Sequence, residues 1–571
     1  MKGVIIIKQF STVAFINEDH TLDIHSFNAK SIKEDNRLYS IYAEGELYNE
    51  EEVCTKLKSY GYSNPESIEE IILFSYLTWK EKAMQYLEGA YFFVIHTDDF
   101  LFCAKDPLGL RPLYYHKQEN RICISNSIDQ LLKIAKQKPI LSREGILELF
   151  AFGPGCSEHK TLYKKILSLP MGSYLRIDHQ GVKTETYYEL KAHPHTDDLS
   201  TTIQTIHDLV TDSIHQQTKN CEASFLSGGL DSSIITSIAS KKQSLWRTYS
   251  LDYEGNEENF KSNSYQVSLD HTYISEMLLH SNTQHTSLQI TQKELITLLD
   301  DALIARQVPG MADIDSSLLW LCQNVAKQDK VILSGECADE FFGGYPWFYQ
   351  EHLRDIESFP WLKSTKERIS LLHDSYKSLP FEEYISQSYQ NTISKIESLP
   401  EDTKEDINAR KHTILCIHWF MQTLVARQVY MGNAAGVNIR APFANVKLLE
   451  YVYNIPWKMK FLNQEEKGIL REAFASELPE SIAHRKKNPF PKTHNPQYAE
   501  LISQLLEERY DDPDSPLHIL FDDCKLKELI SSKGDSFKLP WYGQLMSGPQ
   551  LLAYLYQIDQ WIIRYDIEIE K

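Results

Sequence analysis

The spacing of apolar residues changes character along the chain. Up to about residue 190 it reads as short strands with a few helices. Residues 3–7 are apolar and predict a first strand. Residues 91–96 and 100–104 are apolar runs split by Asp98-Asp99, the pattern of a hairpin. Residues 105–112 form a Pro/Gly loop, and residues 173–178 and 184–188 predict a last strand pair around Gly181. Helical spacing occurs at 67–80 and 142–152. Strands with a few helices predict layered sheets with helical cover.

Residues 191–200 are polar, contain Pro194 and lack periodicity, which predicts a linker between a domain over 1–190 and another over 201–571. A helix is predicted over 201–217. Short apolar runs at 223–226, 247–251 and 331–334 then alternate with helical segments. That rhythm predicts an open parallel sheet. After about Tyr345 the pattern is mostly helical. The fold class expected is α/β in two domains.

Composition adds exclusions. The 571 residues carry a formal charge of −20, which argues against nucleic-acid or anionic-membrane partners. No run approaches the ~20 apolar residues of a membrane span. The 9 cysteines include no C-x-x-C pair, so reduced thiols in a cytoplasmic protein are expected. The 20 histidines show no zinc spacing.

Two segments carry the chemistry. Ser227-Gly228-Gly229-Leu230-Asp231-Ser232-Ser233 follows a predicted strand and opens a helix. Glycines permit a tight turn, and N–H groups at a helix start point at phosphate. The Lys-Ser/Thr ending of a Walker A loop is absent. Ser334-Gly335-Glu336-Cys337-Ala338-Asp339-Glu340 ends the next strand with three carboxylates. Such a cluster suits Mg²⁺ and an amine substrate.

The first segment resembles the S-G-G-x-D-S pyrophosphate loop of enzymes that split ATP into AMP and pyrophosphate. The second, running on to Tyr345, resembles the G-E-G-x-D-E-x-F-G-G-Y signature of asparagine synthetases. Residues 305–318, 467–471 and 485–492 resemble further stretches of that family. A weaker resemblance covers the N-terminal domain through 44–49, 106–115 and 162–175.

The resemblance implies an N-terminal-nucleophile αββα sandwich followed by an ATP pyrophosphatase domain with a helical C-terminal part. It implies ATP bound by Leu226, Ser227, Gly228, Gly229, Asp231, Ser232, Ser233, Leu251, Ser334, Gly335 and Lys467. Mg²⁺ is implied on Asp231 and Asp339. Lys487 would stabilise the transition state, and Glu336 would orient or deprotonate the amine. Asp315, Glu340, Tyr430 and Asn438 are expected in the substrate region.

The departures from the family are as informative. The family begins Met-Cys, whereas Lys2 stands at the nucleophile position. An amine is no substitute for a thiolate attacking a carboxamide. The family's Asn-Gly-Glu triplet reads Glu44-Gly45-Glu46, and Ile68 stands where an Asp is usual. Together these imply a dead glutaminase. In the second domain, Val429, Tyr430, Asn438 and Asn445 replace charged family residues, implying a remodelled acceptor region.

The reading is therefore an AMP-forming amide ligase that does not hydrolyse glutamine. Its expected partners are a small-molecule or peptide carboxylate and an amine, with a homodimer as the candidate assembly. The alternatives are an ammonia-dependent asparagine synthetase, an intramolecular cyclase of β-lactam or lasso-peptide type, and a non-catalytic pseudoenzyme.

Overall fold

The computed structural model describes residues 9–16, 22–242, 245–261, 268–543 and 546–570. The strand expected at 3–7 and Lys2 lie outside the described residues. The chain divides into two compact units. Among the described residues, one comprises those from 9 to 142 together with 157–191, and the other 143–156 with those from 192 on.

The first unit contains two antiparallel sheets. The six-stranded one runs Gly181–Thr186, Ser173–Asp178, Phe100–Lys105, Gly89–His96, Arg37–Leu47, Lys30–Glu34. The five-stranded one runs Ile166–Ser168, Tyr114–Lys117, Arg121–Ser125, Ser11–Ile16, Leu22–Phe27. Side chains alternate across a strand. Phe92 and Val94 therefore meet Ala14, Ile122 and Ile124 of the other sheet. Tyr91, Phe93 and Ile95 meet Val53, Leu57, Ile72 and Tyr76 from helices Glu50–Lys58 and Ile68–Trp79. Burial on both faces explains the unbroken apolar run. Helix Ile128–Ala135 follows the strand Arg121–Ser125 and buries Leu131 and Leu132. The layers are helix, sheet, sheet, helix, as expected.

The helix predicted at 142–152 belongs to the second unit. Helix Arg143–Ala151 sets Phe150 edge-on to Phe521 at 5.6 Å, and Arg368 Nη2 donates to the Ala151 carbonyl at 2.8 Å. Its apolar face is satisfied there, which local spacing cannot reveal.

The second unit is built on a five-stranded parallel sheet in the order Thr283–Ile290, Trp246–Tyr253, Ala223–Phe225, Val331–Leu333, Asn438–Arg440. Helices Asp313–Val325 and Met421–Ala435 supply Leu318, Cys322, Val325 and Met431 to a core shared with Ala223, Ile332 and Ile439. Two strands escaped the sequence reading. Thr283–Ile290 is an edge strand with a largely polar sequence, and Asn438–Arg440 is only three residues long. From Ala223–Phe225 the chain proceeds outward to one side, then returns to the other side at Val331–Leu333. Ligands of open α/β sheets bind at such a reversal, beyond the carboxyl ends of the strands. No helix among the described residues is long and apolar enough to cross a membrane.

Candidate active site

The loops leaving the two strands at the reversal face one cavity of about 270 Å³. Ser227–Gly229 leaves Ala223–Phe225 and leads into helix Leu230–Lys242. Gly228 has φ +66, and a Cβ there would lie 2.6 Å from Tyr273 Cβ, so only glycine suits the turn. Ser232 Oγ accepts from the Ser227 N–H at 3.2 Å, which folds the loop over the helix start. Arg485 Nη1 donates to the Ser227 carbonyl at 2.9 Å, and its other arm holds Asp270 at 2.6 Å.

The second loop, 334–337, passes so close that a Cβ on Gly335 would lie 3.0 Å from Asp231 Cβ. It leads into the short helix Ala338–Phe342 through Cys337, which has φ +77. That left-handed conformation is where glycine is at ease and a β-substituted residue is strained. The family glycine at this position is thus a backbone requirement rather than one small side chain among several.

Electrostatics converge on Asp231 and Asp339. Lys467 Nζ lies 2.8 and 2.7 Å from the two oxygens of Asp231, and 2.7 Å from Asp339 Oδ1. Lys487 Nζ donates to Asp339 Oδ2 at 2.5 Å. Burial works against the Asp339 carboxylate, but the two ammoniums prevail and hold it well below the usual carboxylate range. Asp231 is pushed upward, because burial and the Asp339 charge outweigh Lys467. Arg471 braces both lysine loops. It donates to the carbonyls of Glu466, Ala483 and Arg485 at 2.8, 2.6 and 2.9 Å.

Glu336 accepts from Arg427 Nη2 at 2.7 Å, and the Arg427 guanidinium lies over the Phe490 ring at 4.7 Å. Gln428 Nε2 donates to Ser334 Oγ at 2.6 Å. Arg427 and Gln428 line the cavity. Sequence reasoning passed over them in favour of their neighbours Val429 and Tyr430. They reach the cavity because the long helix from Lys404 to Ala435 contains a π-turn, Cys416–Phe420, which rephases the side chains that follow.

Of the residues expected to bind ATP, Leu226, Ser227, Gly229, Asp231, Ser232, Leu251, Ser334, Gly335 and Lys467 line the cavity, as do Glu336, Asp339 and Lys487. Gly228 shapes the loop from behind, and Ser233 is buried in the helix. The four residues expected in the substrate region stand off the wall. Asp315 is turned inward, accepting from the Met311 N–H at 3.0 Å with Arg306 at 3.4 Å. Glu340 is buried, accepts from the Tyr345 hydroxyl at 2.8 Å, and is pushed up to about 8 by burial and by Asp339 and Glu336. Tyr430 packs on the sheet–helix core. Asn438 pairs with Val331 at the start of its strand, the end opposite the cavity loops.

Among the described residues no three His, Cys, Asp or Glu side chains are grouped to hold a metal. Asp231 and Asp339 nonetheless fit a Mg²⁺ that takes its remaining ligands from phosphate oxygens and water.

The asparagine synthase family profile matches residues 205–562, and a glutamine amidotransferase domain profile matches 20–188. Glutamine-hydrolyzing asparagine synthetase 3 of Bacillus subtilis is 39% identical over 545 residues, covering 93% of this chain and 88% of that protein. Glutamine-hydrolyzing asparagine synthetase 1 of the same organism is 25% identical, covering 88% of this chain and 84% of that protein. Among solved structures, the glutamine phosphoribosylpyrophosphate amidotransferase of B. subtilis overlays with a TM-score of 0.24 at 12% identity, over 50% of this chain and 75% of that one. With one profile spanning more than half of its length and a relative of this similarity along nearly all of it, the chain belongs to the asparagine synthase family of C–N ligases.

Proposed function

We propose that the second unit adenylates a substrate carboxylate with Mg-ATP and passes the acyl group to an amine, and that the first unit does not supply the nitrogen from glutamine. A carboxylate oxygen bonds to the α-phosphorus while the bond to the pyrophosphate oxygen breaks. The amine nitrogen then bonds to the acyl carbon, AMP leaves with the electron pair of the broken C–O bond, and the amine proton passes to a base. The Ser227–Ser233 loop cradles pyrophosphate with backbone N–H groups at a helix start. Lys487 offsets charge growing on phosphate oxygens, and Glu336, fixed by Arg427, orients the amine and accepts its proton. Asp231 and Asp339 would hold the Mg²⁺, which neutralises phosphate charge.

The observation that carries the first half is the convergence of Asp231, Asp339, Lys467 and Lys487 at the strand reversal. The second half rests on Glu44. Where the family places an amide that can donate, this carboxylate accepts from Asn126 Nδ2 at 2.5 Å. An acceptor cannot stabilise an oxyanion, which needs donors. Ile68, the other altered position, begins a helix and packs on the apolar core.

The test is AMP formation with Mg-ATP, aspartate and either ammonium or glutamine, with Asp231→Ala as control. AMP release that glutamine cannot sustain, with no glutamate formed, is expected. Glutamate release coupled to AMP would overturn the glutamine-independent reading. The 39% identical relative, a glutamine-hydrolyzing asparagine synthetase by name, favours asparagine synthesis as the second reading, and asparagine formed in the ammonium arm but not in the glutamine arm would select its ammonia-dependent form.

A further inference from the structure

The cavity has a charged floor and an aromatic far wall. Lys487 Nζ sits 5.0 Å from the centroid of the Tyr345 ring. Tyr345 meets Phe420 edge-on at 5.1 Å, and Phe420 stacks on Tyr542 at 5.8 Å. Leu424 lies one turn beyond Phe420 on the same helix, and all four side chains are buried on the cavity wall. The wall therefore starts beside the ammonium that would hold a carboxylate or the α-phosphate, and continues away from it without a charge.

The interior cations are already engaged. Lys467 and Lys487 are paired with Asp231 and Asp339, Arg427 with Glu336, Arg485 with Asp270, and Arg471 with Glu466. Lys486 is exposed. A substrate with a second carboxylate on this wall would bury that charge against rings and a leucine, where the Tyr345 hydroxyl already donates to Glu340 and the Tyr542 hydroxyl to Thr423. Burying a charge without a partner is strongly unfavourable. A ring or branched alkyl group gains from the same wall.

We infer that the acyl substrate is a monocarboxylate bearing an apolar, ring-sized group that lies along Tyr345, Phe420, Leu424 and Tyr542, rather than a dicarboxylate such as aspartate. This rests on the adenylating reading above. The acyl half is isolated by supplying hydroxylamine as the amine, so that any acyl-adenylate is trapped as a hydroxamate with release of AMP. The full chain is assayed with Mg-ATP and 3-phenylpropionate, L-phenylalanine or L-aspartate. At least one aromatic acid is expected to exceed aspartate about tenfold or more in kcat/KM, the range one apolar pocket can discriminate. Phe420→Ala should then lower the aromatic value about tenfold and leave aspartate within about threefold, with Leu424→Ala as the second variant should the first fail to fold. Preference for aspartate would overturn the inference and leave the ligase reading standing. No AMP above the Asp231→Ala control with any of the three acids would overturn both.

Discussion

The ammonium of Lys467 lies 2.7 Å from Asp339 Oδ1, on the face of that carboxylate turned toward Asp231. It is the cation that makes two close, poorly hydrated carboxylates tolerable. In Lys467→Met the two carboxylates face each other with only Lys487, on the Asp339 side, to offset them. Breaking a buried ion pair from one side costs about 3–5 kcal/mol, and the lower end applies because both carboxylates are partly open to the cavity. Urea unfolding should show a loss of about 3 kcal/mol, and AMP release should fall by about two orders of magnitude. Millimolar Mg²⁺ should raise the Tm of the variant more than that of the wild type, since a divalent ion can replace the missing charge. Equal Mg²⁺ responses would show that Asp231 and Asp339 are not a cation site.

Cys337 tests the backbone of the carboxylate loop. At φ +77 a β-carbon is strained, and a β-branched one more so. Cys337→Gly relieves the strain but removes a buried thiol, so its stability should stay within about 1 kcal/mol of the wild type. Cys337→Val should lose about 2 kcal/mol or more and much of the activity, because the helix carrying Asp339 starts there. A valine variant as stable as the glycine variant would show that the turn relaxes freely.

Asp313 gives the second unit a pH dependence. It is fully buried, accepts from Gln550 Nε2 at 3.2 Å, and burial pushes it from 3.8 up to about 7. Above pH 3.8 the unfolded chain has lost this proton while the folded chain keeps it until about pH 7. The unfolded state binds fewer protons in that window, so stability falls as pH rises through it. The contribution is fully present below the unfolded pKa and lost by the time pH passes the folded one. In Asp313→Asn that dependence should vanish. The difference between variant and wild type should change by roughly 1.4 kcal/mol per pH unit between pH 5 and 7. Parallel stability curves would place the titration elsewhere.

How far these features were legible depends on the range of the interactions that set them. The Ser227–Ser233 loop could be read because strand, Gly228 turn and helix start are consecutive, and one local pattern fixes all three. The apolar run 91–96 was equally plain, since both faces of that strand are buried. The edge strand Thr283–Ile290 was not, because its side chains are mostly polar and its register comes from pairing with Trp246–Tyr253. Tyr430 and Asn438 stood in a motif that departed from its family, but departure marks a changed neighbourhood and not the residue that faces the ligand. Which residue faces it is decided by the phase of the helix, and the π-turn at Cys416–Phe420 gives that phase to Arg427 and Gln428. The partner of Arg427 is 91 residues away, beyond any periodicity argument.

Arg427 therefore carries the last prediction. Its guanidinium donates to Glu336 at 2.7 Å while its central carbon lies 4.7 Å from the centre of the Phe490 ring, and only 2% of the residue is exposed. A lysine could supply the charge but not the planar stack, and would leave Glu336 less firmly placed. If Glu336 orients the amine, the injury should fall on the second half-reaction. Arg427→Lys should lower amide formation about tenfold to hundredfold while pyrophosphate release in a single turnover changes by less than about threefold. Arg427→Met should abolish amide formation and destabilise the fold, because it strands the Glu336 carboxylate. Raising the pH or the amine concentration should not rescue Arg427→Met, since the defect is in placement. Equal losses in pyrophosphate release and amide formation would instead assign Arg427 and Glu336 to the adenylation step, with the amine held by another part of the cavity.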